Sequence, residues 1–282
     1  MTSQKNFPST LFILAVALLA SLLILGIAPL RVGNINWLFV SNPDPLTHYL
    51  GWAFYRQSEW TFPIGLNPSY GLEISSSIVF SDSIPLFAIF FKLVQPLLPA
   101  TFQYFGIWYL LCIVLQGWFG WKITSLISPE IWIRTFGLLL AIFSPPMLSR
   151  IGLHAALVGH FLILAAFYLI FCPNKKRFNL YWSLLLAVGA LVQFYLFAML
   201  LALWIASRLD KVVISKAVLT RNLILTLIAT AIFILFILWQ AGYFAVTASS
   251  ANEFGFGLYR MNLLSIFNPR NNYADSSWSY LL

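Results

Sequence analysis

IPLFAIFFKLVQPLLP, residues 84–99, is the stretch whose reading decides the fold. It is apolar enough to pass for a membrane span. As a helix, residues 84–98 would reach only about 22 Å, against a bilayer core of about 30 Å. Pro96 breaks its end, Pro99 closes it, and Lys92 lies within it. The length and the prolines therefore predict an interfacial or half-inserted helix on the outer side of a membrane, not a crossing.

The rest of the chain supplies the membrane. Of its 282 residues 61% are hydrophobic and 9% charged, where a soluble domain carries about 25% charged residues. That composition describes a polytopic membrane protein. The net charge of +8 is then no sign of a nucleic-acid partner, because basic residues mark the cytoplasmic loops of membrane proteins. Cys112 and Cys172 lie in or at the end of apolar runs and form neither a disulfide framework nor a metal-ligand spacing.

Charge bookkeeping follows from leaving 84–98 on the surface. Residues 1–30 hold the first span, with Lys5 before it and the N-terminus in the cytoplasm. Residues 31–101 form a long outer loop. Residues 102–121 run inward, 122–134 are cytoplasmic, 135–147 run outward, and 149–160 turn at the outer side. Residues 161–171 run inward to Lys175, Lys176 and Arg177. The apolar stretch 180–206 then has basic residues at both ends, so it must enter and return, turning near Gln193 and Phe194. Residues 222–244 run outward, and 245–282 begin a second outer loop. This arrangement puts ten Lys/Arg and two acids inside, and six of each outside, as the positive-inside rule prefers. The expected fold is an all-α, polytopic transmembrane bundle of about seven membrane-embedded helices. It forms one membrane domain whose bundle spans 102–244 and whose long outer loop carries juxtamembrane amphipathic helices. We expect the chain to be the N-terminal portion of a longer protein.

In this topology the polar residues collect on the outer face. Asp44-Pro45 starts a short amphipathic helix, with Asp44 suited to its N-cap and Pro45 to its first turn. Asp44 and His48 share a face, four residues apart, and are the pair that could hold a metal or a proton together. His48, Arg56, Glu73, Asp82, Arg150, His154, His160 and Arg260 are the other candidates, for contacts to a substrate. Plainer roles stand beside these. Asp44 could simply cap its helix, and Asp82, in Ser-Asp-Ser before Pro85, could cap the next. The arginines could hold phosphate or only anchor at headgroups. His154 and His160 would lie about 240° apart on one straight helix. The span interiors are nearly free of charge, unlike those of ion-coupled transporters. No P-loop, Rossmann fingerprint or hydrolase elbow occurs. A transferase built this way would therefore draw a lipid-linked donor from the bilayer.

SNPDPLTHYLGWAFYR (41–56), DSIPLFAIFFKLVQPLLP (82–99) and IFSPPMLSRIGLHAALVGHF (142–161) resemble elements of the GT-C superfamily of integral-membrane glycosyltransferases. The first is similar to the family's acid-bearing outer loop, the second to its juxtamembrane helix, and the third to the Ser-Pro turn ending its third span. The 42–110 portion is closest to an uncharacterised bacterial branch. The resemblance implies sugar transfer from a polyprenyl-phosphate donor to a periplasmic or extracellular glycan or protein acceptor, at the outer face of the cytoplasmic membrane. It implies Asp44 as the catalytic base, and in some members a divalent metal ion. The tight acidic pair that many members carry is missing here, and Asp44 stands alone. A non-catalytic transporter or flippase of lipid-linked saccharides, or a structural subunit for them, is the alternative.

Overall fold

The computed structural model describes residues 7–39, 43–71, 76–172, 177–210 and 221–245, and they are mostly α-helical. Helix α1 (Phe7–Leu25) stops short of residue 30 because Gly26 turns left-handed, at φ 67°. A surface segment follows, with α2 (Pro43–Gln57), a two-residue antiparallel pair β1 (Leu66–Asn67) and β2 (Ser76–Ser77), and α3 (Pro85–Leu93). The bundle then runs through α4 (Phe105–Thr124), α5 (Ile131–Ile142), the short α6 (Pro145–Leu148), α7 (Phe161–Phe171), α8 (Phe178–Val192), α9 (Phe194–Leu209) and α10 (Arg221–Ala241).

Among the described residues three stretches are long and apolar enough to cross a membrane: Phe105–Thr124, Ile131–Leu148 and Arg221–Ala241. Thr10–Leu25, Ala156–Phe171, α8 and α9 are apolar but shorter. The decisive stretch forms no helix long enough to cross. Its helix α3 has nine residues, about 14 Å of rise, and lies on α2. Lys92, the charge inside it, is buried at 3% exposure. Its Nζ donates to Ser58 Oγ at 2.9 Å and to the Glu59 carbonyl at 3.2 Å. It also sits 4.1 Å from the centre of the Tyr55 ring and 4.7 Å from that of Trp60. These rings hold the cation by its charge as well as by contact, while burial pulls its pKa down to about 8.

The directions of the helices come from contacts at their ends. Phe12 near the start of α1 meets Trp121 near the end of α4, ring centres 5.9 Å apart. Past the other end of α1, the Pro29 carbonyl accepts from Gln103 Nε2 at 2.8 Å, so α1 and α4 are antiparallel. α4 and α5 form a second antiparallel pair, with Gln116 Nε2 donating to the Ala141 carbonyl at 3.3 Å. Residues 180–206 fold back on themselves as two antiparallel helices. Gln193 is fully extended (φ −162°, ψ 134°) between α8 and α9, and Gly189 packs against Phe197 and Leu200 on the returning arm. α10 runs parallel to α8, joined by Ser183 and Thr230 hydroxyls 3.0 Å apart and by the Tyr243 hydroxyl donating to the Ala190 carbonyl at 2.8 Å.

One pole of the bundle therefore gathers the end of α1, the start of α4, the connection from α6 to α7, the α8–α9 turn and the end of α10. The surface segment is bound to this pole. Trp52 Nε1 donates to the Phe102 carbonyl at 3.1 Å, and Gly65 N–H to the Gln240 carbonyl at 2.8 Å. Beneath it is an aromatic floor in which Phe91 stacks on Tyr104 and Phe87 meets Trp108 edge-on. These rings, Tyr104 and Trp108 buried and Phe87 and Phe91 partly so, give a short surface helix a rigid seat that its own length could not supply.

Candidate functional site

Asp44 is not the residue that precedes α2. The helix begins at Pro43, and Asp44 stands in its first turn, where the exposed N–H groups favour a carboxylate. Its Oδ2 lies 3.2 Å from Nδ1 of His154, and each side chain is a little over one-third exposed. His154 comes from the turn after α6, which α4 holds in place. Trp108 Nε1 donates to the Ala155 carbonyl at 2.7 Å, and Gly152 N–H to the Tyr109 hydroxyl at 3.3 Å.

His48 follows one helical turn later and is 4% exposed. Its Nδ1 is 2.9 Å from the Ser81 carbonyl. A carbonyl only accepts, so Nδ1 carries the proton and Nε2 keeps its lone pair. That Nε2 is buried without a hydrogen-bond partner. Burial lowers the imidazole's pKa, against the opposing effects of the Ser81 carbonyl and the Asp82 and Asp44 charges.

Asp82 is not the cap of α3. The residue before that helix is Ile84, with no side-chain capping bond. Asp82 sits left-handed at φ 50° and Ile84 at φ 53°, conformations costing about 1–3 kcal/mol each in non-glycine residues and least natural for a β-branched side chain. Surrounding bonds impose them. Ser83 Oγ donates to the His48 carbonyl at 2.6 Å, the Ser81 and Ser83 hydroxyls are 2.8 Å apart, and the buried Tyr104 hydroxyl donates to the Ser83 carbonyl. The clamp aims the Asp82 carboxylate at the α8–α9 turn, where Gln193 Nε2 donates to its Oδ1 at 2.8 Å. Burial raises the pKa of Asp82, while the His48 charge and the Gln193 bond oppose the rise.

Asp44, His154, His48 and Asp82 are thus brought within electrostatic reach of one another. Gln193 and Tyr243 complete the group. Tyr243 lies within reach of the Asp82 charge. Sequence reasoning marked Gln193 only as a turn and did not pick out Tyr243. The only signal was an amide at the turn of an otherwise apolar stretch. As for metal binding by Asp44 and His48, no three His, Cys, Asp or Glu side chains group as a metal would need among the described residues. Nδ1 of His48 bonds the Ser81 carbonyl, so only Nε2 could face a metal, and we derive no step through one.

The other candidates separate from this group. Arg56 lies at the far end of α2, about 18 Å along the axis from Asp44. Its guanidinium donates to the carbonyls of Leu98, Pro99 and Ala100 at 3.4, 2.8 and 3.0 Å. It fastens the end of the 84–99 stretch. His154 and His160 are not on one helix, since a 3-10 turn at Ala156–Val158 lies between them. His160 is half-buried at the start of α7, and burial, with the nearby Arg150 charge, lowers its pKa. Arg150 is exposed on the rim. Glu73 and Arg260 lie outside the described residues.

The buried imidazole gives a pH signature. A histidine whose folded pKa is depressed contributes stability that is complete above its unfolded value of about 6.5. That contribution is lost as pH falls through the folded value. His48→Asn keeps a donor for the Ser81 carbonyl but cannot titrate. The wild type should therefore lose melting temperature faster than this variant below pH 6.5, and thermal melts of both proteins in detergent measure the difference.

No curated protein and no solved structure matches the chain. A family model does match, over residues 14–282, and it places this chain in the DUF6311 family, a domain of unknown function.

Proposed function

We propose that this protein is a membrane glycosyltransferase. In this reading, about seven membrane-embedded helices carry a site that moves a sugar from a polyprenyl-phosphate carrier to a hydroxyl of a glycan or protein acceptor. The observation that carries it is Asp44 held against His154, beside His48 and Asp82, at the pole where the surface segment covers the bundle. The opposite pole carries Lys122, Arg134, Arg177, Arg208 and Arg221, which supports a cytoplasmic position for that end and an external one for the Asp44 pole, in a bacterial cytoplasmic membrane.

The chemistry suits the groups. Asp44 accepts the proton of the acceptor hydroxyl while His154 fixes the orientation of its carboxylate. The acceptor oxygen bonds to the anomeric carbon from the face opposite the carrier. The carbon–oxygen bond to phosphate breaks, its electron pair goes to the phosphate oxygen, and polyprenyl phosphate leaves with inversion at that carbon. Arg150 on the rim supplies positive charge for the leaving phosphate. His48, neutral and deep, offers an acceptor for a sugar or acceptor hydroxyl.

The test is turnover by the purified chain in liposomes with a panel of radiolabelled polyprenyl-phosphate sugars and free glycan acceptors. The proposal expects label on an acceptor or on water, with polyprenyl phosphate released. Intact carrier crossing the bilayer with no label transferred would support a flippase instead.

A further inference from the structure

The pole opposite Asp44 holds a second polar cluster. Trp182 and Trp204 stand eleven residues either side of Gln193, and Phe178 and Arg208 fifteen. The antiparallel α8–α9 pair therefore sets them in two adjacent layers, about 16 and 22 Å from the turn. The Arg208 guanidinium carbon is 5.0 Å from the ring centre of Phe178 and 5.7 Å from that of Trp204, and Phe178 meets Trp182 edge-on at 6.3 Å. Three groups in this cluster are buried without a hydrogen-bond partner: Nε1 of Trp182, Nε1 of Trp204 and Nε of Arg208.

All three are donors, and neither an indole N–H nor a guanidinium can accept. A buried donor left unmet costs about 1–3 kcal/mol, so native proteins seldom leave such groups clustered. The carboxylates of the described residues form no ion pair with Arg208. Ring contacts hold the guanidinium by its charge, and the N–H edge of a guanidinium suits an oxyanion. Exposed Arg177 and Arg221 begin or precede the neighbouring helices at this same pole and add to the positive field. The missing partner is thus an acceptor with several oxygens and negative charge, at a membrane end of the bundle.

We propose that Trp182, Trp204 and Arg208 form a binding site for a phosphate group, of the kind an anionic phospholipid headgroup presents. The site is independent of the sugar-transfer proposal and lies at the other end of the α8–α9 hairpin from it.

Binding is measured by thermal shift and native mass spectrometry on the full chain in detergent, with phosphatidylglycerol in one arm and inorganic phosphate in the other. Arg208→Gln removes the charge, and Trp204→Phe keeps a ring while removing the donor. Each should weaken binding about tenfold. The arm that shows this loss identifies the source of the phosphate, lipid or soluble. Trp182→Phe provides a third reading if Arg208→Gln does not fold. The proposal is overturned if neither probe binds the wild type, or if Trp204→Phe and Trp182→Phe both bind as tightly as the wild type.

Discussion

Asp44→Asn should lower sugar transfer by about 10²–10⁴-fold, the usual worth of a positioned general base. Asparagine keeps the shape of the side chain and can still bond His154, which lies 3.2 Å from the carboxylate, but it cannot take a proton. The loss should therefore appear in kcat with little change in KM, as for an interaction made only in the transition state. Asp44 and His154 are both over one-third exposed, so the fold should tolerate the change within about 1 kcal/mol. Single-turnover kinetics with a melting curve on the same preparation separate the two effects. Unchanged turnover in a folded variant would remove Asp44 from the chemistry.

Gly51→Ala should disable the same site by a different route. A methyl group at this position would fall on the side chain of Ser81 and within 2.5 Å of Ser83 Oγ. The 81–83 loop cannot retreat easily, because its Ser83 hydroxyl and Ser81 carbonyl both bond His48, and Tyr104 bonds the Ser83 carbonyl. α2 is held from another side, with Asn67 Nδ2 donating to the Gly51 carbonyl at 2.9 Å. Overpacking of this kind costs about 1–3 kcal/mol, and whichever element yields, Asp82 shifts from Gln193. The expected outcome is a lower melting temperature together with more than tenfold loss of transfer. Gly51→Ala with wild-type stability and turnover would show that α2 and the loop need not touch.

The short helix in 84–99 was legible because length, Pro96 and Lys92 are local facts. The turn at Gln193 was legible from the basic residues at both ends of 180–206. The place of Asp82 was not. Ser-Asp-Ser before a proline reads as a cap, and only the clamp from His48 and Tyr104 turns it left-handed toward Gln193. Arg56 looked ready for phosphate, yet residues 98–100 leave three carbonyls unpaired after two prolines, and the guanidinium takes all three. The contact of His154 with Asp44 depends on how α4 seats the loop after α6, which no periodicity records. His48 shared a face with Asp44 by spacing alone, but its tautomer is set by a carbonyl distant in sequence.

All that is proposed for Asp44 requires its pole to face the exterior, and thiol labelling in intact cells tests this most directly. With Cys112 and Cys172 replaced by alanine, single cysteines are placed at Ser149, exposed beside the His154 turn, and at Glu130, exposed between α4 and α5 at the other pole. A membrane-impermeant maleimide should label Ser149→Cys in intact cells and Glu130→Cys only after lysis. Labelling of Glu130→Cys in intact cells, with Ser149→Cys protected until lysis, would contradict an external site.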